Sequence, residues 1–216
     1  MLTSASRPES ARLWYEEKVR RYGFDHRGLG FRNRSSQEKR FEALARLGDF
    51  EGRSVLDAGC GFGDFLAFLE ERDLQATYTG IDMCAPMIER CRERFPMSEG
   101  RFHVADVMEY QPQACFDFVI ASGIFGLDAE GARERVRPTL ERMFRWCRLG
   151  MAVNFLSARA PEKVPARLYV DPADALEWAF ALAPAVRLDH GYLPNDFTLL
   201  LHRNPSWVDG SSGGHA

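Results

Sequence analysis

The chain has 216 residues, 45% hydrophobic and 27% charged, with a formal net charge of -3. That length buries a core large enough for one domain, or one domain with a small appendage. The mild acidity lacks the basic footprint of a phosphate-backbone binder, so nucleic acid is not an expected partner. Five scattered cysteines (Cys60, Cys84, Cys91, Cys115, Cys147) include no Cys-x-x-Cys pair, which argues against a disulfide framework or zinc cluster. Residues 1–10 are polar, unlike a signal peptide, and no run approaches the roughly 18 apolar residues of a membrane span. The expected setting is therefore cytoplasmic, with reduced thiols and no membrane partner.

In chain order, residues 11–22 are helical in composition and carry Trp14 and Tyr15 near their start. A Gly- and Arg-rich connector covers 23–34, and a second helix is expected from about Ser35, its Phe41, Leu44 and Leu47 recurring at helical spacing before Gly48. The period then changes. Ser54-Val-Leu is a short strand, followed by a glycine loop and a helical stretch from Asp64 to Arg72. Thr77–Ile81 is strand-like, 86–94 helical, and Phe102–Ala105 another strand. Phe116–Ala121 is the most apolar strand, as a position covered on both faces requires. An amphipathic helix is expected over 130–148 and a fifth strand at Met151–Phe155. A helix near Pro172–Leu182 precedes two strands, Val186–His190 and from Phe197, whose connector is too short for a crossover and predicts antiparallel pairing. The expectation is an α/β fold: a doubly wound, mostly parallel seven-stranded sheet with a C-terminal antiparallel hairpin. Residues 1–48 would form a helical lid, 49–204 the ligand-binding domain and 205–216 a disordered tail.

Glycines at 59, 61 and 63 sit between a strand and a helix, where their missing side chains let backbone approach a ligand. Asp82 follows 19 residues after Gly63, at the end of the next strand, where a carboxylate can accept from ribose hydroxyls. Asp106 ends the strand after that. Together these segments resemble the class I S-adenosylmethionine-dependent methyltransferases, small-molecule type. Val55-Leu-Asp-Ala-Gly-Cys-Gly-Phe-Gly63 is similar to their first motif, Gly80-Ile-Asp-Met83 to the second, Ala105-Asp-Val107 to the third and Phe116–Phe125 to the fourth.

The resemblance implies a cofactor, S-adenosylmethionine, spent as S-adenosylhomocysteine, held by Asp57, Ala58, Gly59, Cys60, Gly61 and Gly63. Asp57 would lie near its ammonium group, Asp82 at the ribose and Met83 on adenine. Asp106 and Val107 would meet the adenine edge, and Ser122 and Gly123 would border the methyl region. The implied activity is methyl transfer to an O or N atom of a small-molecule metabolite.

Acceptor candidates are Phe125, Asn154 at the end of the fifth strand, and Tyr15 and Tyr22 of the N-terminal helix, which equally suit packing of that helix on the sheet. Arg32, Arg34 and Arg40 form a basic cluster able to hold the cofactor carboxylate or an anionic substrate, or to be a solvated face. His190, Tyr192 and Asp196 surround the final turn, where a structural histidine is as natural as a catalytic one. No general base stands out, and no His/acid constellation suggests a metal. Oligomeric state is not legible. Two alternatives share parts of the pattern: a nicotinamide-dependent oxidoreductase, disfavoured by the even spacing of Gly59, Gly61 and Gly63, and a methyltransferase-like scaffold without turnover.

Overall fold

The computed structural model describes residues 7–30 and 33–204. Five parallel strands, β1 (Ser54–Ala58), β2 (Thr77–Asp82), β3 (Phe102–Val104), β4 (Phe116–Ala121) and β5 (Cys147–Leu156), join an antiparallel pair, β6 (Ala185–Leu193) and β7 (Asp196–His202). Their order across the sheet is β3-β2-β1-β4-β5-β7-β6, so the seven-stranded α/β architecture is the one the patterning predicts. Among the described residues six α-helices accompany it: α1 (Arg7–Tyr22), α2 (Arg34–Ala45), α3 (Asp64–Glu70), α4 (Ala85–Arg94), α5 (Ala132–Trp146) and α6 (Pro172–Phe180).

The two-residue period of the strands divides the core into two layers. Val55, Phe118, Ile120 and Ala152 face α2, α3 and α4, where they meet Leu44, Phe65, Leu69 and Ile88. Leu56, Ala58, Val119, Ala121 and Met151 face the other way, onto Val136, Leu140 and Met143 of α5 and Ala175 of α6. Strand β4 lies between β1 and β5 with residues 118–121 all buried, which accounts for its near-continuous apolar run.

Two boundaries differ from expectation. Strand β5 begins at Cys147, directly at the end of α5, because Arg148 is held at the sheet margin by Asp117 of β4 (3.1 Å) and its charge does not have to enter the core. Residues Gly191–Leu193, expected in a connector, belong to β6. The turn to β7 is only Pro194-Asn195, and the phenol of Tyr192 turns inward onto Thr198 at 2.8 Å.

Strand order reverses between β1 and β4, and at such a point the helices leave on opposite faces and open a crevice beyond the carboxyl ends of the strands. Helix α1 ends at Gly23, whose positive φ of 64° and N–H bond to the Val19 carbonyl close it. Through Tyr15, Val19 and Leu29 this N-terminal segment packs on Phe62, Cys84 and Met87, across the loops that follow β1 and β2.

Candidate active site

A cavity of about 300 Å³ occupies that crevice. Its floor is made by the loops that follow β1 to β5, and its roof by Tyr15, Leu29 and Gly30 together with Gln37, Arg40 and Phe41 of α2.

The glycine loop is shaped by its own hydrogen bonds. The N–H groups of Gly59 and Cys60 both donate to the Ile81 carbonyl (2.7 and 3.0 Å), which ties the end of β1 to the end of β2. Gly59 has φ +78°, and a Cβ there would lie 2.2 Å from the Ile124 side chain; at Gly61, with φ +55°, it would lie 2.6 Å from Leu29. Neither position tolerates a side chain, so backbone forms the cavity wall.

Three carboxylates follow along this wall. Asp57, 3% exposed, accepts from the Tyr78 phenol at 2.6 Å, and burial pushes its carboxyl up to about 7 against that hydrogen bond. Asp82 accepts from the Gly61 N–H (3.0 Å) with one oxygen and from the Cys84 N–H (2.8 Å) with the other; burial again outweighs these bonds and raises its pKa. Asp106 accepts from the Met108 N–H at 2.7 Å and pairs with Arg135 of α5 at 3.2 Å. Arg142 of the same helix donates to the carbonyls of Val107 and Tyr110, so α5 anchors the whole loop that follows β3.

The far wall is aromatic and polar. Phe125 stacks on Phe155 (5.2 Å, 5° between planes) and Phe155 on Phe197. Asn154, 2% exposed, donates through Nδ2 to Thr198 at 2.7 Å, while its Oδ1 and the Ser122 hydroxyl are buried without a partner among the described residues. Arg40 holds Asp196 through Nη2 (2.6 Å) and Nε (2.8 Å), and Asp196 also accepts from the Tyr192 phenol. Burial lifts the Asp196 carboxyl above its ordinary range despite the pull of Arg40, and burial likewise pushes the Tyr15 phenol up to about 12.

Residues 55–150 match the family described as a methyltransferase domain. These residues are thus similar to a methyltransferase domain, and the sheet has the fold of solved S-adenosylmethionine-binding methyltransferases. It is 29% identical over 158 residues to a Mycobacterium tuberculosis protein that bears a methyltransferase name, covering 69% of this chain and 93% of that one. To a fatty-acid O-methyltransferase of Mycolicibacterium smegmatis it is 28% identical, covering 67% of this chain and 47% of the relative. Several further relatives are matched over only about a third of their own length. The magnesium protoporphyrin IX methyltransferase of Synechocystis PCC 6803, solved with S-adenosylmethionine bound, shares the fold with a TM-score of 0.69 at 16% identity, covering 94% of this chain and all of that one.

The cavity suits S-adenosylmethionine. Buried carboxylates match a cationic nucleoside better than a phosphate, two glycines leave backbone where a Cβ would intrude, and two buried acceptor oxygens await a donor. Of the residues singled out from sequence, Asp57, Gly59, Cys60, Gly61, Asp82, Met83, Asp106, Val107, Ser122 and Gly123 all line the cavity, with Arg40, Tyr15, Phe125 and Asn154. Ala58 and Gly63 do not. Ala58 points into the α5 layer, and Gly63 caps the N-terminus of α3 in the left-handed conformation, where a Cβ would meet Phe95. Tyr22 is also away from the wall, its ring beside Lys18, Arg21 and Arg27. The expected arginine cluster is not a unit: Arg40 is committed to Asp196, Arg34 is exposed on another surface, and Arg32 and the 205–216 tail lie outside the described residues. His190 is outside the wall too, bonded to Ser157 at 2.7 Å and stacked on Phe197. Arg135, Tyr78 and Arg167 were not foreseen. Tyr78 alone left a signal, because alternation along β2 puts it on the face that Asp57 shares in β1.

Proposed function

We propose that this protein transfers a methyl group from S-adenosylmethionine to an oxygen of a small molecule, with neither nucleic acid nor a membrane as partner. The observation that carries this reading is one continuous cavity: it runs from the carboxylates at the ends of β1, β2 and β3 to the wall formed by Phe125, Asn154 and Arg167. Asp82 has a double task, orienting the glycine loop through the Gly61 N–H and offering its oxygens to ribose hydroxyls. Asp106, oriented by Arg135, serves the adenine edge with the Val107 backbone and Met83. Asp57 supplies negative charge beneath the methionine portion, joined by the Ser122 hydroxyl and the Asn154 carbonyl as acceptors for its ammonium group. When bound, the cofactor supplies an electrophilic methyl on a sulfonium.

The chain's part in the reaction is positioning, worth about 7–11 kcal/mol in well-oriented systems. Among the described residues lining the cavity there is no histidine or lysine, and Tyr15 holds its proton to about pH 12. An acceptor that is already anionic, or that loses its proton to water, suits such a wall. The described part of segment 1–48 acts as the lid over this site through α1 and Leu29. All five cysteines are unpaired thiols, four of them buried, which supports a reducing, cytoplasmic setting.

Calorimetry with S-adenosylmethionine, S-adenosylhomocysteine and NAD tests the cofactor, and label transfer from methyl-labelled cofactor to a metabolite pool tests turnover. Asp82→Asn should weaken cofactor binding about 10- to 100-fold, the value of lost charge-assisted hydrogen bonds. Unchanged affinity, or tight binding of NAD alone, would overturn the reading. Cofactor binding without label transfer to any pool would favour a scaffold.

A further inference from the structure

Among the described residues three arginines line the cavity, and two are neutralised within it: Arg40 by Asp196 at 2.6 Å and Arg135 by Asp106 at 3.2 Å. The third, Arg167, lies in the segment between β5 and α6 and is half-buried. Its Nη2 donates to the Gly30 carbonyl at 2.8 Å, its Nη1 reaches the Gly126 carbonyl at 3.5 Å, and its plane lies 5.2 Å from the Trp14 ring. Among the described residues it makes no ion pair. Two of its five N–H donors are used on neutral carbonyls, and the partly desolvated guanidinium has no ion-pair partner among the described residues. The same cavity wall carries Ile124, Phe125, Leu127, Leu156 and Leu168, with Glu130 and Tyr169.

We infer that Arg167 is the anchor of the methyl acceptor and that this acceptor is a small apolar carboxylic acid, its carboxylate paired with the guanidinium and its hydrocarbon body on Phe125 and Leu168. This rests on the methyltransferase reading above. A guanidinium matches a carboxylate with two parallel N–H bonds, and the segments it ties together, lid and loop after β4, are the ones that must close around an acceptor. The chemistry agrees with the lack of a histidine or lysine in the wall. A carboxylate oxygen attacks the methyl carbon, the new C–O bond forms as the C–S bond breaks, and the bonding pair stays on sulfur. No proton has to leave, and the products are a methyl ester and a neutral thioether.

The test uses the full chain with three probes of one shape: octanoic acid, octanamide and 1-octanol. Binding is measured in the presence of S-adenosylhomocysteine, and methyl ester or ether formation with S-adenosylmethionine. The wild type should bind and methylate the acid and prefer it to the amide about 10- to 100-fold. Arg167→Gln keeps a donor for the carbonyls while removing the charge, so it should abolish that preference and leave cofactor affinity unchanged; Arg167→Lys should restore part of it. Because the preference is a ratio within one variant, loosening of the lid alone does not move it. Equal binding of acid and amide by the wild type, methylation of the alcohol instead, or a preference that survives in Arg167→Gln would each overturn the assignment. If cofactor binding itself is absent, the methyltransferase reading fails, while selective acid binding lost in Arg167→Gln would still uphold the anchor.

Discussion

Asp57 should couple cofactor binding to pH. Its carboxyl is 3% exposed, accepts from the Tyr78 phenol, and is lifted from 3.8 to about 7 by burial. A cationic ligand seated above it favours the ionised form, so the proton carried by the free protein must be released on binding. With a carboxyl titrating at about 7, the free protein carries about 0.9 of that proton at pH 6 and about 0.1 at pH 8. Affinity should therefore rise about ten-fold over that interval, or about 1.4 kcal/mol. Calorimetry in buffers of different ionisation enthalpy measures the released proton directly, and Asp57→Asn supplies the baseline that removes the titration of the ligand's own amine. The same group affects the free protein. Because its folded pKa exceeds the unfolded value, its stabilising contribution is complete below about pH 4 and is lost as pH rises through 7. At most this amounts to about 4 kcal/mol, and Asp57→Asn should flatten that part of the stability profile. Equal proton release by wild type and Asp57→Asn at pH 6 would refute the coupling.

Two further outcomes follow from the packing. Gly59→Ala combines a left-handed backbone, costing about 1–2 kcal/mol, with a 2.2 Å collision against Ile124 Cγ2; cofactor binding should be lost with the sheet intact by circular dichroism. Adding Ile124→Ala relieves the collision, leaving only the Cβ at 3.6 Å, and should recover part of the affinity. Arg40→Met leaves Asp196, 1% exposed, charged without its arginine partner, a change expected to cost about 3–5 kcal/mol in denaturant unfolding at pH 7.5 and progressively less as the pH is lowered, because burial already raises this carboxyl's pKa. A loss below about 1 kcal/mol at pH 7.5 would mean that the pair is not the anchor between α2 and β7.

The cofactor side of the site was readable because each of its elements is local. A glycine turn after one strand and a carboxylate at or just past the end of each of the next two are set by local chain position, so Gly59, Gly61, Asp82 and Asp106 fall on the cavity wall. Gly63 shares the pattern but lies off the cavity wall, and its positive φ serves the cap of α3, a use that one-dimensional spacing does not separate from ligand approach. The acceptor side was poorly readable. Arg40 and Asp196 are 156 residues apart and Arg167 and Gly30 137 apart, and nothing in either neighbourhood signals the other.

From the order of residues alone came the doubly wound sheet with its antiparallel hairpin, while the ligand expected at the glycine loop came from the resemblance of its motifs to a known family. The sheet depends on short-range rules: alternation within strands, helical spacing between them, and glycine where a side chain cannot stand. Tertiary packing decided the charge pattern of the cavity. It committed Arg40 to Asp196, oriented Asp106 with Arg135, raised the pKa of Asp57 by burying it, against the hydrogen bond from Tyr78, and brought Arg167 between the lid and the loop after β4 with no ion pair among the described residues. Which charges remain for a ligand depends on which others have found partners across the fold, and those pairings exist only once distant segments have met.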